Sequence, residues 1–139
     1  MSLYYEIIQI PLYIRVIKNG ISSEFFIWTS DQMVARARVS NHLFIDGTFH
    51  HHKNFEQLLI ILFKDIINSN YLPCFYVLMS NKTEILYDLV FKSIKRILTQ
   101  YNQYKLNIIT ITIDTEIPLI NALAYNFDNY TRIGSWFHL

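Results

Sequence analysis

His42-Leu43-Phe44-Ile45-Asp46-Gly47-Thr48-Phe49 decides how the chain is read. A short apolar run of strand type drives into one carboxylate, and a glycine follows at once. A second β-rich run, Asn107-Ile108-Ile109-Thr110-Ile111-Thr112-Ile113-Asp114, also closes on an aspartate. Two strands that each stop on Asp imply two carboxylates at one edge of a sheet, beyond the carboxyl ends of its strands, where α/β sheets place their sites. If the strands are parallel neighbours, their backbones lie about 4.8 Å apart. Carboxylates that close repel each other unless a cation intervenes. A hard divalent ion suits the place: magnesium takes oxygen ligands and keeps waters that a substrate phosphate can replace. The plainer alternative is that each Asp ends a strand in a turn, where Asp is common.

Outward from this pair, strands and helices alternate. Upstream, Ile10, Leu12, Ile14 and Val16 alternate with Pro11, Tyr13 and Arg15, and Lys18-Asn19-Gly20 signals a hairpin turn. Phe25–Thr29 supplies the return strand. Ser30 is the N-cap expected of a short helix from Asp31 to about Val39, with Arg36 and Arg38 suiting the dipole at its end. Between the aspartates, Phe55–Phe63 is almost wholly apolar, as in a strand covered on both faces. It is reached from Leu43–Asp46 through the polar link His50–Asn54. Pro73–Met79 is a third strand. Asn81 and Glu84 have capping-box spacing for a helix running to about Gln100. Its Leu86, Leu89, Val90, Ile94, Ile97 and Leu98 fall on one stripe. Asn107–Ile113 is the fourth strand, Thr115–Asn126 a helix that tolerates Pro118 in its first turn, and Ile133–His138 a fifth strand. The fold class is α/β. The order is β-β-β-α-β-α-β after an N-terminal β-hairpin and short helix, which implies a mixed sheet with helices on both faces. The 139 residues suit one domain, divided into a hairpin and helix over residues 1–40 and a core over residues 41–139.

Composition narrows the function classes. Net charge is +1 with 17% charged residues, so the chain as a whole carries no electrostatic signature of nucleic-acid binding. Its single cysteine, Cys74, cannot form an internal disulfide, which favours a reducing, intracellular compartment. Glu6, Gln9 and Pro11 interrupt the N-terminal apolar residues, unlike a secretory signal. The longest apolar run, Leu58–Phe63, is too short to span a bilayer, so no membrane partner is expected.

Phe44-Ile45-Asp46-Gly47-Thr48-Phe49 resembles the first acidic motif of the Mutator-like element (MULE) transposases. Phe25–Phe49 is similar to that family's lead-in strand, short helix and first catalytic strand. Tyr76–Lys82, with Tyr87 and Phe91, resembles its third strand and the following helix. Ile113-Asp114-Thr115-Glu116, with Ile120-Asn121-Ala122, is similar to its second acidic motif, and Gly134-Ser135-Trp136-Phe137-His138-Leu139 to its Gly-Cys-Trp-Phe-His segment. The similarity runs in the family's order over roughly residues 25–139. It implies an RNase H-like fold and a DDE-type DNA transposase, in which three carboxylates and two Mg²⁺ or Mn²⁺ ions cleave and transfer DNA strands. On that reading Asp46 and Asp114 are catalytic residues and metal ligands, His138 is a structural or auxiliary histidine, and the partners are DNA at transposon ends and target. Localisation would be intracellular, and nuclear in a eukaryotic host.

The chain departs from the family at three places. Ser135 stands where the family has cysteine, and Asp128 where proline is usual after Phe127. The family's third acidic residue lies on a helix beyond the Trp-Phe-His segment, whereas this sequence ends at Leu139. A truncated fragment or decayed copy is therefore expected, inactive alone. Its exposed fifth strand would favour homo-oligomers. Two alternatives stand beside it. One is a domesticated, non-catalytic module for protein or DNA contacts. The other is a small metal-dependent RNase H-like nuclease with its third carboxylate at Glu84, Glu116 or Asp128. Glu116 could also assist Asp114, or simply favour the helix dipole. His50-His51-His52 reads as a solvated turn, because successive residues of an extended chain point opposite ways and make a poor metal cage. Trp136 and Phe137 read as core, and Lys92, Lys95 and Arg96 as a solvated helix face.

Overall fold

The computed structural model describes residues 11–99, 106–114 and 116–134, with the backbone alone at residues 49–52. Among them the order is β1 (Leu12–Lys18), β2 (Ile21–Trp28), α1 (Asp31–Arg38), β3 (His42–His52), β4 (Phe55–Lys64), β5 (Tyr71–Met79), α2 (Glu84–Thr99), β6 (Thr110–Ile113), α3 (Ile117–Asn126) and β7 (Thr131–Gly134). The strands form one sheet in the order β1-β2-β5-β4-β3-β6-β7. It is mixed. The first five strands in that row pair antiparallel, while β6 is parallel to both β3 and β7. The N-terminal hairpin joins this sheet through β2–β5 pairing.

Local chemistry accounts for the punctuation. Asn19 and Gly20 adopt φ of 53° and 78°, the left-handed pair that a two-residue hairpin turn needs. Ser30 Oγ accepts from Met33 N and caps α1. Thr83, not Asn81, caps α2: its hydroxyl accepts from Leu86 N, while Asn81 Oδ1 accepts from Thr83 N and Thr83 Oγ1. Glu84 is thus the first helical residue rather than the third, so no capping box forms. Pro73 is accommodated at a register shift between β4 and β5, the place in a sheet where proline is tolerated.

The expected two-sided covering is corrected. α1 packs on β4 and β5, α2 on α1 and β2, and α3 on α2. The described helices therefore share one face. On that face Phe25, Leu43, Ile61, Phe75, Ile111 and the apolar stripes of all three helices join a single buried cluster. The opposite face carries Phe26, Trp28, Phe44, Leu58, Ile60 and Leu62 half-buried, with Tyr76 exposed. Phe55–Phe63 is apolar on both sides, yet helices cover only one of them.

β3 also runs further than its apolar core suggests. The His50–Asn54 link shrinks to Lys53-Asn54, and His52 already pairs with Phe55. Conversely, the fourth strand begins at Thr110 rather than Asn107, and the fifth at Thr131 rather than Ile133. Residues 135–138, assigned to that fifth strand, lie outside the described residues.

Candidate functional site

β6 lies beside β3 in parallel, with His42 opposite Thr110, Leu43 opposite Ile111 and Phe44 opposite Thr112. The same register carried two residues further sets Asp46 opposite Asp114. Asp46 is half-buried and Asp114 exposed. Leu43 and Ile45 face the helices, so alternation turns Asp46 to the open side of the sheet. One expectation changes. Asp46 does not end its strand, because β4 continues to pair with β3 at Gly47, Thr48 and Phe49. What ends at this level is β6, whose last strand residue is Ile113. Asp46 therefore stands where β3 loses its parallel neighbour on one side while β4, itself paired with β5, stays on the other.

Behind the pair lies a polar group that sequence patterns did not bring forward. Gln57 and Tyr87 are 3% and 0% exposed. Gln57 Nε2 donates to the Tyr87 hydroxyl at 2.7 Å, and that hydroxyl donates to Glu116 Oε1 at 3.0 Å. Gln57 Nε2 also approaches Met79 Sδ at 3.4 Å. Gly47 completes the arrangement: a Cβ on it would stand 2.6 Å from Gln57 Oε1. Burial pushes the Tyr87 phenol well above its ordinary range, and Glu116 adds to the rise against the opposing pull of the Gln57 hydrogen bond. The phenol is consequently a neutral donor at any physiological pH. A signal for this group does exist. Gln57 is the one amide in the alternating core series Gln57, Leu59, Ile61, Phe63, and Tyr87 sits beside Leu86 in the apolar part of α2.

The remaining candidates separate. Glu84 accepts from Asn121 Nδ2 at 2.7 Å, across to α3. Glu116, the N-cap residue of α3, makes no side-chain cap and is committed to Tyr87 instead. Asp128 lines a cavity with Lys95, Asn107 and Asn129 near the start of β6, the end opposite Asp114. These three acids do not gather with the aspartate pair. No cluster of three or more His, Cys, Asp or Glu suited to a metal occurs among the described residues. His138 lies outside them, as do the side chains of His50, His51 and His52. Cys74 is buried, which pushes its thiol up to about 12 and leaves it no nucleophile. Lys95, read as solvated, instead donates to Asn126 O at 2.6 Å and closes the C-terminus of α3. Lys92 pairs with Asp88 on its own helix. No helix among the described residues is long and apolar enough to cross a membrane.

A family model, the MULE transposase domain, matches residues 42–139, from the first residue of β3 through both aspartates. No curated protein and no solved structure matches the chain.

Proposed function

From the MULE transposase domain family, to which this chain belongs, we infer that residues 41–139 form a DDE-type, RNase H-like catalytic core, with residues 1–40 as an element packed on it. Membership makes the chain transposase-related and carries DNA interaction in general. The finer reading is that Asp46 and Asp114 are metal-holding carboxylates for cleavage and transfer of DNA strands. One observation carries it: β6 runs parallel to β3 with Phe44 opposite Thr112, a register that, carried two residues further, sets Asp46 level with Asp114. The order β-β-β-α-β-α-β of β3 to β7 supports the RNase H-like assignment.

The donor set fits a hard cation. Two carboxylates on backbones about 4.8 Å apart can share one ion or hold two. Mg²⁺ or Mn²⁺ bound there would activate the attacking oxygen and stabilise the leaving oxygen of a phosphodiester. The chain's own part is positional. Pairing with β4, which continues past Asp46, fixes the Asp46 backbone. Alternation along β3 places Asp46 on a face no described helix covers, where a duplex backbone can approach. Glu84, Glu116 and Asp128 are held elsewhere, so the further ligands on this reading are water, phosphate oxygens or groups outside the described residues.

Calorimetric titration of the whole chain with Mn²⁺ tests the proposal. Binding is expected, and Asp46→Asn and Asp114→Asn should each weaken it by at least about tenfold, since each removes a charged ligand. Absence of Mn²⁺ binding, or affinity unchanged in either variant, returns both residues to strand-end acids.

A further inference from the structure

We infer that Tyr87 is a positioning residue for the aspartate pair, a reading that rests on the proposed metal role of Asp46 and Asp114. The argument starts from what a buried hydroxyl can do. Tyr87 is fully buried, yet its oxygen is used twice: it accepts from Gln57 and donates to Glu116. Each contact leads to one aspartate-bearing segment. Glu116 is two residues past Asp114 and opens α3. Gln57 Oε1 occupies the space beside Gly47 that a side chain would fill, and Gly47 follows Asp46 directly. A single phenol on α2 therefore ties the β3 segment to the β6–α3 junction from the helix side, while Asp46 projects to the open side.

The arrangement has a cost that packing alone does not explain. A phenylalanine at position 87 would fill the same space without burying an oxygen, and a leucine at 57 would match Leu59 and Ile61. Buried polar groups with all their bonds made restrict a structure to one arrangement; half-satisfied ones destabilise it. Here the restricted quantity is the spacing of two strands whose paired residues run from His42–Thr110 to Phe44–Thr112. The hydroxyl links the Gly47 and Glu116 segments from the helix side. The Glu116 carboxylate is turned toward Tyr87 and acts through Asp114, not as a ligand itself.

The test uses three substitutions in the whole chain and two readouts. In metal-free protein, Tyr87→Phe should shift the backbone amide resonances of Gly47 and Asp114 together. A spectrum altered only at residues on α2 overturns the inference, whether or not the chain binds metal. In the Mn²⁺ titration, Tyr87→Phe and Glu116→Ala should weaken binding by about tenfold, the usual effect of losing a group that orients a metal ligand. Glu116→Gln keeps an oxygen that can accept from the Tyr87 hydroxyl, so its affinity should stay within about twofold of the unaltered chain. If Glu116→Gln is as weak as Glu116→Ala, Glu116 is a ligand and the positioning role is wrong. If both resonances move but Mn²⁺ affinity in Tyr87→Phe is unchanged, the hydroxyl serves stability alone. An unaltered chain that binds no Mn²⁺ removes the metal reading, and the joint resonance shift then stands or falls separately.

Discussion

Phe75 and Tyr76 are neighbours in β5, yet Phe75 is fully buried and Tyr76 is 39% exposed. The pair stands for the two faces of the sheet. Toward the helices, strand residues are sealed and the buried Gln57 is hydrogen-bonded to Tyr87. Toward the open side, comparable apolar residues are half-covered, and Asp46 sits among them. The difference shows a division of labour. The face that carries charge has little packing to fix it, so its geometry is set from the other side, through backbone pairing and through the Gln57–Tyr87–Glu116 group. Carboxylates buried among Leu59, Ile61 and Phe75 would lose their hydration for no partner; on the open face they keep it.

Truncation at these two neighbours is the strongest way to break the contrast. Phe75→Ala removes a ring that packs 6.0 Å from Phe63 inside the sealed cluster and should cost about 3–5 kcal/mol. Tyr76→Ala, one residue on, should cost less than about 1 kcal/mol. Chemical denaturation of both variants measures the two values. Equal costs would mean that the faces are packed alike.

Gly47→Ala has a smaller effect and addresses the link between the faces. The added carbon would stand 2.6 Å from Gln57 Oε1. Gln57 can move only by giving up its bond to Tyr87, so about 1–3 kcal/mol of overpacking is expected. In a Gln57→Ala background the clash disappears and the penalty at Gly47 should fall by more than half. A penalty unchanged in that background would show that Gly47 is required for another reason, and a double-mutant cycle separates the cases.

How much of this was legible depends on distance along the chain. The hairpin at Asn19-Gly20 and the Ser30 cap are local, fixed by backbone sterics and one short hydrogen bond, and reading them needs no tertiary information. The alignment of Asp46 with Asp114 was foreshadowed because two β-rich runs ended on the same residue type. The end of the first strand was misplaced: it was expected to stop on Asp46, whereas Gly47 gives clearance to Gln57 inside a strand that β4 keeps paired. The helix cap at residue 83 was misplaced by two because Asn81, an equally good capping residue, binds Thr83 instead of the helix. Apolar runs say that two faces avoid water but not what covers each, so Leu58, Ile60 and Leu62 suggested a second helix layer that the described residues lack. The Gln57–Tyr87–Glu116 group spans separations of 30 and 29 residues, and no local periodicity encodes a contact of that range.

The smallest expected effect lies on the open face and concerns pH. His42 Nε2 lies 3.0 Å from Thr112 Oγ1, and Nδ1 lies 3.0 Å from the Tyr71 hydroxyl. Partial burial, with a lesser contribution from the nearby Lys64 charge, lowers the imidazole pKa from 6.5. The unfolded chain therefore takes up a proton at higher pH than the folded one. The sign follows by linkage. Stabilisation from the neutral ring is complete above the unfolded value of 6.5 and is lost as pH falls through the lower folded value. Thermal unfolding of the whole chain and of His42→Asn, followed across mildly acidic pH, isolates this part from the carboxylates that titrate lower. The unaltered chain should lose midpoint more steeply than the variant in that window alone. Parallel curves would show that the open face leaves His42 as hydrated as in the unfolded chain. The two faces would then differ even more in packing than the exposure of Tyr76 indicates.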